Sequence, residues 1–408
     1  MLDPATETSL VLDRSVQFLY EGFLAELELR ALGARRVERS SADWRTFGVE
    51  INGHRDHILR HSAYAGSCDG EETIYSQLLR PGYQGGQFNR TRSANQFLTH
   101  WIYPYRGKFH PQMVRGLLNI LGAQPGMTVG DFFSGSGTTA LEASLLGLDF
   151  VGVDISPLCV DLALAKTESW RHLGRIERYV EKAKKIGTLE EGAPEVARNA
   201  PEGLKRFVRV ATLVATSDQA RRGRDFGKAL VKNLSAMLYS VRAHADALRR
   251  FEIEPGSVDV RLGDARDLRS AKVASESIDL VVTSPPYSIA LDYVENDEHA
   301  LDALGVDVNH LRQRMTGVRG KGAKEKLALY NDDMKDALRE TARVLAPGGS
   351  AAFVVGDATV NSKEWTTTED MLGWAREAGL EHVQTIPKIV YGLYSVMKDE
   401  QILVLRKP

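Results

Sequence analysis

Apolar residues along this chain fall into two rhythms. Short apolar runs of strand length lie at residues 127–131, 149–155, 257–264, 278–282 and 351–355. Longer stretches between several of them carry apolar residues three and four apart, as expected of a helix that buries one face. Pro111 opens one such helix, with Met113, Val114, Leu117, Leu118 and Leu121 as its apolar face. Others are predicted at 138–146, 329–345 and 368–378, the last two stopped by Pro347-Gly348-Gly349 and Gly379. Strands alternating with helices predict an α/β fold built on a doubly wound sheet. Near the start, Val16, Leu19, Phe23 and Leu27 are spaced as one face of an amphipathic helix over 11–32. Two more strands are expected near the end, around 388–391 and 401–405.

Composition narrows this reading only a little. The 408 residues are 43% apolar and 26% charged, ordinary for a folded globular protein. With a net charge of −2, any nucleic-acid surface has to be a local patch. Cys68 and Cys159 are far apart and give neither metal-type spacing nor a disulfide framework. No apolar run approaches membrane-spanning length, and the N-terminus lacks a basic-then-apolar leader, so a cytoplasmic, nucleoid-associated protein is expected. Residues 166–255 are too long for one crossover and carry 19 Lys/Arg against 12 Asp/Glu. They read as a helical basic insertion, either a phosphate-binding face around Arg175, Arg178, Lys182, Lys184, Lys185 and Arg221–Arg224 or a solvated excursion. Residues 288–327 form a long connection with Arg312, Arg314, Arg319, Lys321, Lys324 and Lys326, a DNA contact or a closing lid. In 81–108, Arg90, Arg92, Arg106 and Lys108 interleave with Tyr83, Phe88, Trp101, Tyr103 and Tyr105. That loop either stacks bases and holds phosphates or is anchored to the surface by its aromatics.

The chemistry gathers at strand ends. The first strand runs into Asp131-Phe132-Phe133-Ser134-Gly135-Ser136-Gly137-Thr138-Thr139, a glycine-rich loop before a helix. Such a loop lets a ligand approach the backbone, and the helix start offers free N–H groups. The second strand ends in Asp154-Ile155, 17 residues after Gly137, where an acid can accept both hydroxyls of a ribose. A nicotinamide or flavin site fits poorly, because Ala140 stands where a third glycine belongs and Asp131 would repel a pyrophosphate. An acid there suits the ammonium and sulfonium of S-adenosylmethionine. The 278–282 run ends in Thr283-Ser284-Pro285-Pro286-Tyr287, a stiff turn offering a hydroxyl, free carbonyls and an aromatic face. Taken alone, that turn could equally be a strand cap.

These motifs together resemble the amino-methyltransferases that methylate exocyclic amines of DNA bases with S-adenosylmethionine. The resemblance rests on Asp131–Thr139, on Gly152-Val153-Asp154-Ile155, on Ser284–Tyr287 and on Phe109-His110-Pro111-Gln112 before the cofactor loop. It implies a Rossmann-like methyltransferase sheet of seven strands with a terminal antiparallel hairpin. Phe109, His110, Pro111, Asp131, Phe132, Phe133, Ser134, Gly135, Gly137, Thr138, Thr139, Asp154 and Ile155 are then expected to bind cofactor, with Asp264 and Ala265 at its adenine amine. Ser284, Pro285, Pro286 and Tyr287 are the expected catalytic set. Hydrogen bonds to Ser284 and the Pro285 carbonyl would favour a pyramidal amine nitrogen, and Tyr287 would stack on a flipped-out base.

Methylation at cytosine C5 is excluded, since neither cysteine has the context of a nucleophile. The physics of the turn allows cytosine N4 or adenine N6. Within the family, Ser284 resembles the cytosine-N4 branch, although the cofactor loop preceding the catalytic turn departs from that branch's most familiar order. The remaining alternatives are an RNA base as substrate and a catalytically silent protein of this fold that binds nucleic acid, the latter opposed by intact Asp131, Asp154 and Ser284–Tyr287. The chain is expected to divide into an N-terminal extension at 1–104, a catalytic domain at 105–165 and 256–408, and the insertion at 166–255. No separate recognition domain follows the sheet, so DNA reading is expected from the extension, the insertion or 288–327. Double-stranded DNA is the expected partner, with a cognate restriction endonuclease and a monomer or homodimer as further expectations, and no membrane or metal.

Overall fold

The computed structural model describes residues 7–51, 53–83, 93–105, 107–186, 199–286, 293–356, 358–360, 363–365, 367–389 and 399–408. Tyr287, Phe88, Arg90, Arg92 and Arg106 lie outside them.

The described residues of the first eighty form a sheet with helices, and the helix predicted over 11–32 is present but starts only at Leu19, residues 11 and 12 belonging to a strand. Strand β1 (Glu7–Leu12) is followed by helix α1 (Leu19–Ala31), β2 (Ala34–Arg39), β3 (Thr46–Ile51), α2 (Arg55–His61), β4 (Ala65–Cys68), β5 (Glu71–Glu72) and α3 (Ile74–Leu78). The strands pair antiparallel in the order β2-β3-β1-β4-β5. Leu10 and Leu12 are buried and Val11 between them is not, a period of two that outranks the helical spacing beginning at Val16. The predicted stripe on α1 also misses the buried face, for Leu19 is 84% and Phe23 43% exposed. The true inner stripe is Leu24, Ala25, Glu28 and Leu29. It was obscured because a buried glutamate sits in it. Ser62 Oγ and Asn119 Nδ2 each donate to Glu28 at 2.7 Å, joined by the Ala63 amide at 2.8 Å. Burial raises its pKa and these donors lower it. Asn119 belongs to α4 (Pro111–Ile120), the helix predicted from Pro111, so the extension is bolted to the element that precedes β6 and the glycine-rich loop.

The larger sheet has seven strands: β6 (Thr128–Asp131), β7 (Asp149–Asp154), β8 (Val258–Leu262), β9 (Ile278–Thr283), β10 (Leu345–Gly356), β13 (Glu381–Ile389) and β14 (Asp399–Arg406), with β11 (Ala358–Val360) and β12 (Lys363–Trp365) as a separate ribbon. Their order is β13-β14-β10-β9-β6-β7-β8, all parallel except β14, which is antiparallel to both neighbours. This is the doubly wound methyltransferase sheet with its terminal hairpin; residues 390–398, between the hairpin strands, lie outside the described set. Helices α5 (Thr138–Leu145) and α6 (Pro157–Glu168) cross between β6, β7 and β8, and α12 (Gly322–Val344) and α13 (Thr367–Glu377) flank the other half. The chain reverses direction across the sheet between β6 and β9, and a crevice opens there at the carboxyl ends of the strands.

The insertion is helical, with α7 (Leu173–Ile186), α8 (Glu202–Arg222) and α9 (Phe226–Arg250) packed around Ile176, Val180, Phe207, Ala211, Leu234 and Met237. Arg175, Arg178, Lys182, Lys184 and Lys185 are exposed together on α7. The described part of the 288–327 connection is structured too, as α10 (Tyr293–Ala303), α11 (Val308–Arg314) and the first turns of α12, which starts seven residues before the predicted 329. Val294, Leu301, Leu311 and Met315 bury themselves in the insertion's core. In 81–108 the anchoring alternative holds for Tyr83 and Tyr103, which are 8% and 3% exposed and face inward. No described helix is long and apolar enough to cross a membrane.

Candidate active site

Three strands end side by side in acids or in the loops that follow them. Pairing of Val129 with Leu280 and Gly130 with Val281 sets the end of β6 beside the end of β9. Thr283 Oγ1 therefore donates to Asp131 Oδ1 at 2.7 Å, and Thr139 Oγ1 on α5 donates to Oδ2 at 2.7 Å. Burial pushes Asp131 up to about 6 against these stabilising bonds. On β7, Asp154 accepts from the Gly135 amide at 2.7 Å and the Ser156 amide at 2.9 Å, and burial raises its pKa. Past β8, Asp264 is gripped by Arg266, whose Nε and Nη2 donate at 2.8 and 2.5 Å. It is partly buried, yet Arg266 holds its carboxyl below the usual range.

The glycine-rich loop curls between Asp131 and Asp154. Gly135 and Gly137 both have positive φ, 50° and 74°. The glycine at 137 is demanded by packing, because a Cβ there would lie 2.5 Å from Ala163 Cα on α6. The ligand-approach reading of Gly137 is corrected accordingly: it brings α5 and α6 together and does not line the cleft. Lys166, fully buried on α6, donates to Ser136 Oγ at 2.9 Å and steadies the loop, and burial lowers its pKa to about 7.

A cleft opens over these strand ends. Of the predicted residues it is lined by Phe132, Phe133, Gly135, Asp154, Ile155, Asp264, Ala265, Ser284 and Pro286. An adjoining chamber adds Phe109, Asp131, Ser134, Thr138 and Thr139. His110, Pro111 and Pro285 line neither: Pro111 is buried in the first turn of α4, His110 precedes it as N-cap, and Pro285 is buried behind the turn. Ser284 Oγ donates to the Val354 carbonyl on β10 at 3.2 Å. Its proton is thereby turned into the sheet, leaving lone pairs to accept from a group in the cleft. Tyr287 lies outside the described residues.

Several lining residues were not assigned to this cleft from the sequence, which placed Tyr105 and Lys108 only in a basic-aromatic loop. Tyr105, Lys108, Ser156 and Cys159 sit beside the loop, and Val294, Asp297, Leu301, Leu311, Met315 and Thr316 roof the cleft from α10, α11 and the turn after them. The roof residues gave no motif, because what brings them to the cleft is the packing of α10 and α11 on the insertion. Among the described residues no group of His, Cys, Asp or Glu is arranged to hold a metal ion.

Residues 85–165 match the N6/N4 DNA methylase family. A type II methyltransferase, M.BsoBI, from Geobacillus stearothermophilus is 39% identical over 66 residues, 16% of this chain and 13% of that protein. A second, M.MjaI, from Methanocaldococcus jannaschii is 35% identical over 102 residues, 24% of this chain and 32% of that protein. The chain thus spans less than a third of these curated relatives. Among solved structures, the rRNA methyltransferase aviRa from Streptomyces viridochromogenes aligns over 74% of this chain and 87% of its own at 14% identity, with a TM-score of 0.37. That value is too low to weigh, and the fold rests on the strand order.

The family implies S-adenosylmethionine as cofactor, and the cleft suits it. Among the described residues the buried hydroxyls of Ser134 and Thr138 meet no hydrogen-bond partner, and both line the inner chamber with Asp131 and Lys108. Unsatisfied buried hydroxyls beside an acid and a lysine fit the zwitterionic amino-acid end of such a molecule. The larger compartment, with two strand-ending acids and apolar walls, fits a nucleoside.

Proposed function

We propose that this protein transfers a methyl group from S-adenosylmethionine to the exocyclic N4 amine of a cytosine flipped out of double-stranded DNA, within a restriction-modification or related DNA-marking system. The observation that carries this reading is the opening of Ser284 and Pro286 into the same cleft as Asp131, Asp154 and Asp264. Asp131, Ser134 and Thr138 hold the amino-acid end of the cofactor, Asp154 the ribose, and Asp264 with Ala265 the adenine. When bound, the cofactor supplies an electrophilic methyl group on a good leaving group.

The chain's own residues then need only to position and polarise the amine. An amine conjugated with its ring is a poor nucleophile. Ser284 Oγ, its proton committed to Val354, accepts one N–H bond; Pro285 has its ring buried behind the turn, and its role is confined to the backbone carbonyl, which accepts another. Both bonds favour a pyramidal nitrogen and free its lone pair. The serine is too weak a base to take the proton early, so the proton leaves after transfer. Tyr287 is assigned to base stacking on its sequence position. Cytosine is favoured over adenine by Ser284, which stands where the adenine branch commonly has an acid or amide. The type II names of the relatives support a restriction-modification setting and a partner endonuclease, and a cytoplasmic site of action on the nucleoid follows from a DNA substrate.

The test is incubation with unmethylated DNA and isotopically labelled cofactor, followed by nucleoside mass spectrometry. N4-methylcytosine is expected. N6-methyladenine would move the activity to the other base, and label in RNA alone would overturn the DNA reading.

A further inference from the structure

Two lysines border the glycine-rich loop, and neither is bonded to an acid. Lys108 lines the inner chamber together with Asp131, Ser134, Ser136 and Thr138. Its Nζ donates to the Asn95 carbonyl at 2.7 Å and lies 5.3 Å from the centre of the Trp101 ring. Both partners are neutral, and an ammonium has three protons to give. The charges that reach Lys108 are Lys166, of like sign, and Glu142. Glu142 is already engaged, with His100 Nε2 at 2.8 Å from one oxygen and Arg115 Nη1 donating to the other at 3.3 Å. Asp131, in the same chamber, is held by Thr283, Thr139 and the Phe133 amide. Lys166 is fully buried one layer behind the loop, and its Nζ donates to Ser136 Oγ. Burial lowers the pKa of both lysines. A buried cation is costly until an anion meets it.

The hydroxyls around the chamber have protons to match. Ser134 Oγ and Thr138 Oγ1 are buried without a hydrogen-bond partner among the described residues. Ser136 Oγ accepts from Lys166, so its own proton points away from that lysine, and it meets no acceptor among the described residues. One ammonium and several uncommitted hydroxyl donors around a small chamber are complementary to a carboxylate, which accepts on two oxygens.

We propose that Lys108 and Ser136 form the subsite for the carboxylate of the cofactor's amino-acid end, with Lys166 as the positioning residue that commits Ser136 to donate. The inference rests on S-adenosylmethionine occupying the cleft. It divides the amino-acid end by charge: the carboxylate goes to Lys108 and Ser136, the ammonium to Asp131. It also gives α6 a part in binding, through Lys166, although that helix brings the lysine only to the back of the loop.

The experiment is calorimetric titration of wild-type protein, Lys108→Met, Ser136→Ala and Lys166→Met with S-adenosylmethionine and with its decarboxylated form. The second ligand keeps the sulfonium and the ammonium and lacks only the carboxylate. Wild type is expected to bind S-adenosylmethionine about tenfold more tightly than the decarboxylated ligand, as a charge-assisted bond requires. Lys108→Met should lose about tenfold on S-adenosylmethionine and nothing on the decarboxylated ligand, so the preference disappears. Ser136→Ala should lose about threefold, again on S-adenosylmethionine alone. Lys166→Met should match it, and the double variant Ser136→Ala/Lys166→Met should lose no more than either single one. Ser136→Ala removes a single hydroxyl and keeps the test open if a lysine variant fails to fold. Equal losses on the two ligands would mean a structural role only and would overturn the inference. So would wild-type affinity for S-adenosylmethionine in Lys108→Met and Ser136→Ala. A wild-type chain that binds neither ligand would instead overturn the cofactor reading beneath it.

Discussion

Asp131 shows how one residue's surroundings set its working range. Burial raises its pKa from 3.8 to about 6, although two threonine hydroxyls and an amide favour its charged form. Between those values the folded protein holds a proton that the unfolded chain releases, so this group's contribution to stability falls as pH rises through that window. In the proposed function, an ionised Asp131 faces the cofactor's ammonium. Affinity for S-adenosylmethionine is therefore expected to climb as pH rises through about 6, and to lose that step in Asp131→Asn. Calorimetric titration from about pH 5 to about pH 7.5 reads this directly, and an identical pH profile in the variant would contradict the assignment. Asp131, Asp154, Asp264 and Ser284 were legible in the sequence because each ends or follows a strand, and strand ends are where such sheets bind ligands. Asp297 and Lys166 were not. Each sits within a helix, and only the way that helix packs brings its side chain to the site.

At the scale of elements, Arg266 ties three parts of the molecule together. It holds Asp264 after β8, donates to Asp333 on α12 at 2.7 Å and donates to the Arg314 carbonyl at the end of α11 at 2.8 Å. Asp333, 2% exposed at its side chain, also pairs with Arg319. Replacing Arg266 with methionine leaves Asp264 unpaired and Asp333 with one partner. Urea unfolding of Arg266→Met is expected to show a loss of about 2 kcal/mol, together with weaker cofactor binding as the roof loosens. An unchanged unfolding midpoint would contradict this. The 288–327 stretch read as a loop because its glycines and basic residues hid two short helices. Their apolar residues are satisfied by the insertion, an arrangement no local pattern records. Likewise α1 was misread where Glu28 interrupts the apolar stripe. By contrast α4 and the parallel strands β6, β7, β8 and β9 were predicted close to where they lie, whereas β13 begins seven residues before the strand predicted at 388–391.

Across the described residues, the seven-stranded sheet supplies the edge on which the cleft opens, and the three additions surround it. The N-terminal sheet braces α4, the insertion supports the roof, and the roof closes the cleft over the strand ends. Exposed cations on α7 and on the Arg221–Arg224 turn give the insertion a face suited to phosphates, consistent with a target-recognition role for 166–255. The central claim concerns the turn at Ser284, where we propose that the methyl group is transferred. Its most direct test is single-turnover methylation of DNA by wild-type protein and Ser284→Ala, both saturated with S-adenosylmethionine. The variant should bind cofactor as wild type does and transfer the methyl group about a hundredfold more slowly, the scale expected on removing one aligned hydrogen-bonding group from a reacting centre. Transfer at the wild-type rate would contradict the account.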